Sequence, residues 1–232
     1  MATAERSTGS TASGWAGRPV RSETPVGQRQ PPASEAYRSE AGGYDQRTRQ
    51  FQQWRELLIK RLPAGIGDTV LDVGCGTGLC LPLLREKVGE TGTVVGIDES
   101  PQMLAVASTR IAGHGWRNVR LVSAPLIDAV IDVTADAAIF CAVHDVMQSP
   151  GALRNVFDHL RPGAVVGAIG GKWPAPWLWS FRKLVADLHG PFITDFTGFD
   201  KPWRVLAEHV PDLRVQQIAS GGGYLAIGHL PG

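Results

Sequence analysis

The chain has 232 residues, 43% hydrophobic and 19% charged, with a formal net charge of +1, which fits one domain with a full core and no nucleic-acid partner, since affinity for phosphates needs a clear basic excess. No apolar run approaches the ~20 residues that span a bilayer and the N-terminus lacks an apolar signal core, so neither stable membrane insertion nor secretion is expected. Cys75, Cys80 and Cys141 are an odd set without CxxC spacing, better suited to a reducing cytoplasm than to a disulfide framework or a zinc site.

Residues 1–43 are rich in Ser, Thr, Gly, Pro, Ala and Arg and have too few apolar positions to offset their ordering entropy, so a disordered tail is expected there. A domain over 44–232 follows. Phe51, Trp54, Leu58 and Leu62 recur at helical spacing until Pro63 ends the run. From Thr69 onward, strands and helices alternate, which reads as a parallel α/β sheet. Strands are expected at Thr69–Val73, Thr93–Asp98, Val119–Val122, Ala137–Cys141 and Ala164–Ile169. Ser100-Pro101 and Ser149-Pro150 each place a capping hydroxyl before a proline at the first helical position. The second of these opens a helix with Leu153, Val156 and Leu160 inward, stopped by Arg161-Pro162-Gly163. In the segment 173–207, Trp177, Phe181, Leu184 and Leu188 share one helical face, which predicts core packing. The remaining aromatic residues, Trp173, Trp179, Phe192, Phe196, Phe199 and Trp203, exceed what one face needs and suggest an apolar or aromatic binding pocket. Leu213–Ile218 and Tyr224–Gly228, joined by Gly221-Gly222-Gly223, read as two strands whose short connection forces antiparallel pairing.

The stretch Val70-Leu71-Asp72-Val73-Gly74-Cys75-Gly76-Thr77-Gly78 holds the densest signal. A buried strand ends in an acid and breaks into three glycines at alternate positions, where the backbone can turn sharply and approach a ligand without a Cβ in the way. The next helix N-terminus offers free N–H groups to an anionic part of that ligand. The spacing is G-x-G-x-G behind an aspartate, not the G-x-G-x-x-G of dinucleotide binders. With Val94-Val95-Gly96-Ile97-Asp98 downstream, it resembles the first motif of class I S-adenosylmethionine-dependent methyltransferases, over roughly residues 44–228. The Leu-Arg-Pro-Gly turn and the antiparallel last strand are similar to the same superfamily, and the layout is most like its quinone-biosynthesis and natural-product members. The resemblance implies a seven-stranded, mostly parallel sheet with an antiparallel last strand and helices on both faces, the Rossmann-like methyltransferase fold. It also implies S-adenosyl-L-methionine as cofactor, and a helix over 51–62 lying across the mouth of its site, with Tyr44 nearby.

On that reading Gly74, Cys75, Gly76 and Gly78 line the methionine and ribose, and Asp72 holds the methionine ammonium. Asp98, with Glu99 as a weaker candidate, accepts from the ribose hydroxyls; a helix-cap or surface role for Asp98 stays open. Met103 packs on adenine or belongs to the core. Where relatives often carry Gly-Asp-Ala, this chain has Ser123-Ala124-Pro125. Ala124 has no side-chain acceptor and Pro125 no N–H, so adenine recognition shifts to Ser123 or to backbone groups. Cys141 borders the methionine. His144 stands where a base would serve a hydroxyl, an acidic carbon or a protonated amine, with Asp145 orienting it, binding an acceptor amine or simply solvated; a structural histidine remains the other reading. No metal constellation is recognisable. The function expected is methyl transfer to a small, largely apolar or aromatic acceptor by a monomer or homodimer. The rivals are an NAD(P)-binding Rossmann oxidoreductase and a catalytically silent S-adenosylmethionine-binding protein.

Overall fold

Alternation of side chains along β1 (Thr69–Val73) sets the layering on the two faces of the sheet. Leu71 and Val73 point to one face of the sheet and Val70 to the other, each into its own buried cluster. The computed structural model describes residues 41–193 and 195–232. The disordered tail predicted for 1–43 therefore lies almost wholly outside the described residues. Of its last three, Ala41–Gly43 already belong to a helix, α1 (Ala41–Arg47).

Seven strands run in the order β3-β2-β1-β4-β5-β7-β6, with β2 at Thr93–Asp98, β3 at Val119–Ser123, β4 at Ala135–Cys141 and β5 at Leu160–Gly171. These pair in parallel, and β7 (Gly223–His229) lies antiparallel between β5 and β6 (Arg214–Ile218). The expected sheet, including its reversed last strand, is the observed one. One face is covered by α2 (Gln52–Arg61), α3 (Leu81–Val88) and α4 (Pro101–His114), through Leu58, Leu84 and Ala107. The other carries α5 (His144–Met147), α6 (Pro150–Phe157) and α8 (Arg204–His209), through Met147, Leu153 and Leu206. Both serine caps form as read: Ser100 Oγ accepts from Met103 N and Ser149 Oγ from Ala152 N, each at 3.4 Å.

Three local expectations are corrected. The helix α6 ends at Phe157, and Leu160 through Gly163 already belong to β5, where Leu160 pairs with Ala135. Proline is tolerated there because the β4–β5 register shifts between the Leu160–Ala135 and Val165–Ala137 pairs, leaving Pro162 outside the ladder. The body of α2 does not cross the mouth of the site; it packs on the sheet, where Gly167 of β5 leaves room for Leu58 and Leu62, whose Cδ1 atoms would both lie 3.0 Å from an added Cβ. The preceding α1 reaches the mouth instead. The stripe expected in the core on α7 (Trp179–His189) and the turn before it stands outside, for Trp177, Phe181 and Leu184 are exposed, and the helix buries Val185 and His189.

Candidate functional site

The carboxyl ends of β1, β2 and β4 border a cleft of about 290 Å³, at the place where open α/β sheets bind their ligands. The glycine loop forms its inner wall. Gly74, Gly76 and Gly78 have φ of +67°, +54° and +78°, a left-handed alternation that strongly favours glycine. The three do different work. Gly76 lines the cleft and a Cβ there would meet nothing within 4 Å, so its missing side chain leaves room for a ligand. At Gly74 a Cβ would strike Val143, so this glycine lets β1 and the loop after β4 approach. Gly78 is turned away: its Cβ would lie 2.6 Å from Leu81 Cδ1 and 3.1 Å from Ala107, and it packs α3 against α4. Cys75 lies beneath the loop, off the cleft surface, its N–H donating to Ile97 O at 3.0 Å; burial pushes its thiol up, keeping it protonated.

Two acids flank this loop. Asp98 ends β2 and accepts from Gly76 N and Ser100 N, each at 2.9 Å, so it shapes the loop and faces the cleft together. Burial raises its pKa while those two N–H groups pull against the rise. Asp72 lies deeper, 1% exposed. Its Oδ2 has no hydrogen-bond partner among the described residues, and burial, with Asp98 next, pushes its pKa up to about 7 against the pull of Arg55. A buried carboxylate oxygen without a donor is costly, and a cationic group beside the loop would supply what it lacks. Arg55, buried on α2, gave no signal in the sequence because an arginine on a polar helix reads as solvated. Its Nη1 donates to Thr48 O at 3.1 Å.

The outer end of the cleft is apolar. Met103, Ala124, Pro125 and Leu126 line it, with exposed Glu99 at the rim. Ser123, expected to help recognise adenine, is exposed and off this surface; Ala124 to Ile127 line the cleft instead.

Cys141 and the turn after β4 make the third wall. Ala142 adopts φ +58°, an uncommon conformation for a residue with a Cβ, and its N–H donates to Ile169 O at 2.8 Å. The turn aims His144 and Asp145 into the cleft. His144 Nε2 lies 2.9 Å from Thr197 O. A carbonyl can only accept, so Nε2 carries a proton and in the neutral ring the lone pair is on Nδ1, which is buried and without a partner among the described residues. An adjoining chamber of about 40 Å³ shares Tyr44, Val143, His144 and Phe192 with the cleft and runs in toward Arg55 and His189. Burial first, and His144 second, hold His189 down at about 4, so its imidazole is neutral near neutral pH. Tyr44, pushed up to about 12 by burial, stays a phenol.

The aromatic segment divides into parts that the sequence did not separate. Trp173, Phe196 and Phe199 pack on one another with centroids 4.9–5.1 Å apart. Phe192 meets Tyr44 edge-on at 5.8 Å. Trp203 packs on Tyr224 in the core. A further device had no sequence signal: Asp45 of α1 accepts from Thr77 Oγ1 at 2.6 Å and pairs with Arg110 at 2.7 Å, clipping α1 to the glycine loop. Among the described residues no group of three or more His, Cys, Asp or Glu could hold a metal ion.

Residues 70–163 match the family model described as a methyltransferase domain. The chain is 37% identical over 115 residues to the chloroplastic 2-phytyl-1,4-beta-naphthoquinone methyltransferase of Arabidopsis thaliana, covering 48% of this chain and 41% of that protein. It is 26% identical over 165 residues to the 2-phytyl-1,4-naphtoquinone methyltransferase of Nostoc punctiforme, covering 68% and 70%. Other curated relatives are matched over 31% to 59% of their own lengths. Among solved structures, a SAM-dependent methyltransferase from Aquifex aeolicus superposes with a TM-score of 0.60 at 21% identity, over 83% of this chain and 97% of that one. These likenesses agree with the resemblance carried by the glycine and aspartate motifs, and they give no support to a dinucleotide-dependent oxidoreductase.

Proposed function

We propose that this chain, which has the class I S-adenosylmethionine-dependent methyltransferase fold, transfers a methyl group from S-adenosylmethionine to a small, largely apolar acceptor of the quinone-like kind named for its relatives. The observation that carries the reading is the orphaned Oδ2 of Asp72 beside a glycine loop whose Gly76 leaves ligand-sized space. S-adenosylmethionine, when bound, supplies a methyl group on a cationic sulfur that departs as a neutral thioether. Asp72 would receive the methionine ammonium, with Arg55 offering charge to the carboxylate at the same end. Asp98 retains lone pairs for the ribose hydroxyls beyond the two N–H groups it already accepts. Met103 and Ala124 to Leu126 give adenine an apolar seat without a side-chain acceptor.

Displacement at a methyl carbon depends chiefly on alignment. Tyr44, Val143 and Phe192, shared by cleft and chamber, would hold an apolar acceptor against the cofactor and exclude water. For an acceptor that must lose a proton, His144 is the base and Nδ1 the atom that takes it, because Thr197 O occupies the other nitrogen. Asp145 lines the cleft beside it and would bind an acceptor amine or orient the ring. The three thiols are free, which supports a reducing compartment such as the cytoplasm.

Calorimetry with S-adenosylhomocysteine and NAD, followed by transfer of labelled methyl to a reduced naphthoquinone, tests the reading. Binding of the first ligand but not the second, with label in the quinol, is expected. Binding of NAD alone would overturn it, and cofactor binding without transfer to any extract component would leave only a silent binder.

A further inference from the structure

We propose that the N-terminal end of α7 is a docking surface for an anionic lipid bilayer. Trp177, Trp179, Phe181 and Leu184 are 79%, 77%, 52% and 60% exposed. The other large exposed apolar side chains among the described residues are Ile66, Ile127 and Val130, so this is where aromatic surface is concentrated. Scattered single apolar residues on a surface need no explanation, but a clustered aromatic patch does.

The chemistry of the patch selects its partner. Tryptophan, phenylalanine and leucine beside arginine and lysine are the composition of segments that lie in the boundary between headgroups and acyl chains. Arg182 and Lys183 are exposed within the same turn as Phe181. The stretch 177–184 carries Arg182 and Lys183 and no acid of its own; Asp187, one turn on, offsets Lys183 at 2.8 Å, and Arg182, 4.2 Å over the Trp173 ring, keeps its positive charge. That sign complements phosphate headgroups. No helix among the described residues is long and apolar enough to cross a membrane, so the contact is with the surface.

Position gives the contact a use. The helix that shows its aromatic end outward puts His189 into the chamber beside the cleft, and Phe192 follows it into both. A bilayer seated on Trp177 to Leu184 would bring a lipid-tailed acceptor to the same segment. That use rests on the methyl-transfer reading, whereas the docking itself does not.

The test is flotation of the full chain with vesicles of phosphatidylcholine and phosphatidylglycerol, and with phosphatidylcholine alone, alongside the variant Trp177→Ala/Trp179→Ala/Phe181→Ala. The wild type should float with the anionic vesicles, shift its tryptophan emission to the blue and release at high salt, and the triple variant should bind about tenfold more weakly or worse. S-adenosylhomocysteine binding reports separately whether the variant has folded and whether the cofactor reading stands. Wild type that stays with neither vesicle, or a folded variant that floats as well as wild type, overturns the proposal. So does a wild-type dimer that the triple variant dissociates, since a second copy would then be what covers the patch.

Discussion

The cleft and the aromatic segment are two walls of one site made by opposite means. Beside the glycine loop the cleft exists because side chains are missing: Gly76 opens into it, Gly74 admits Val143, and of the two flanking acids Asp98 lines it while Asp72 lies buried behind it. On the other wall the space is shaped by large rings, with Phe192, Phe199 and His189 held by edge contacts and His189 stacked on Phe51. On a wall made of backbone geometry any added atom takes cleft space, whereas one made of side chains can exchange one ring for another at moderate cost. Single changes should therefore act on binding at the first wall and on turnover or acceptor choice at the second.

The sharpest break comes from Gly76→Val set beside Gly78→Val. Valine at 76 puts branches into the ligand's space at a φ that β-branched residues resist, so S-adenosylhomocysteine affinity should fall by about a thousandfold or more with the melting temperature only modestly lowered. Valine at 78 collides with Leu81 and Ala107, so stability should fall first. Calorimetry and thermal melts on both variants separate the two, and equal behaviour would mean that the glycines share one role. On the opposite wall, His144→Gln should lower turnover on a hydroxyl-bearing acceptor by about a hundredfold with S-adenosylhomocysteine affinity intact. Full turnover in that variant would make His144 a structural residue tied to Thr197.

This contrast also explains what the sequence disclosed. Strand β1 was readable to the residue because its apolar run, its acid and its glycines are consecutive, and local patterning decides such elements. The caps at Ser100 and Ser149 were readable for the same reason. Leu160 was misplaced because its pairing with Ala135 is a long-range contact that no helical pattern reveals. The stripe of Trp177, Phe181 and Leu184 was misread because periodicity finds an apolar face without saying what covers it. Arg55, Asp45 and the tautomer of His144 depend on groups at Asp72, Thr77 and Thr197, distant in sequence, so only the folded chain discloses them.

Asp98→Ala should weaken S-adenosylhomocysteine binding by about thirtyfold, since a charged acceptor is lost both to the ribose and to Gly76 N. The loop itself would loosen, so Asp98→Asn, which keeps one acceptor oxygen, should recover part of the loss. Unchanged affinity in both variants would take Asp98 off the cofactor wall.

The smallest effect tests the deepest residue. Burial holds Asp72 at about 7, above its ordinary value of 3.8. An ammonium group at Oδ2 needs the ionised form, so above pH 7 the affinity for S-adenosylhomocysteine should be level. Below it a proton must first leave, and affinity should fall by up to about tenfold per pH unit. Asp72→Asn, which does not titrate, should show a lower but level profile. Stability should move the other way. A folded-state pKa above the unfolded one favours the fold most below pH about 4 and loses that contribution as pH rises to 7. Ligand-free Asp72→Asn should therefore melt above wild type at pH 8, with the gap closing toward pH 4. A wild-type affinity that stays level from pH 8 to 6 would mean that the orphaned oxygen does not meet the ligand's ammonium.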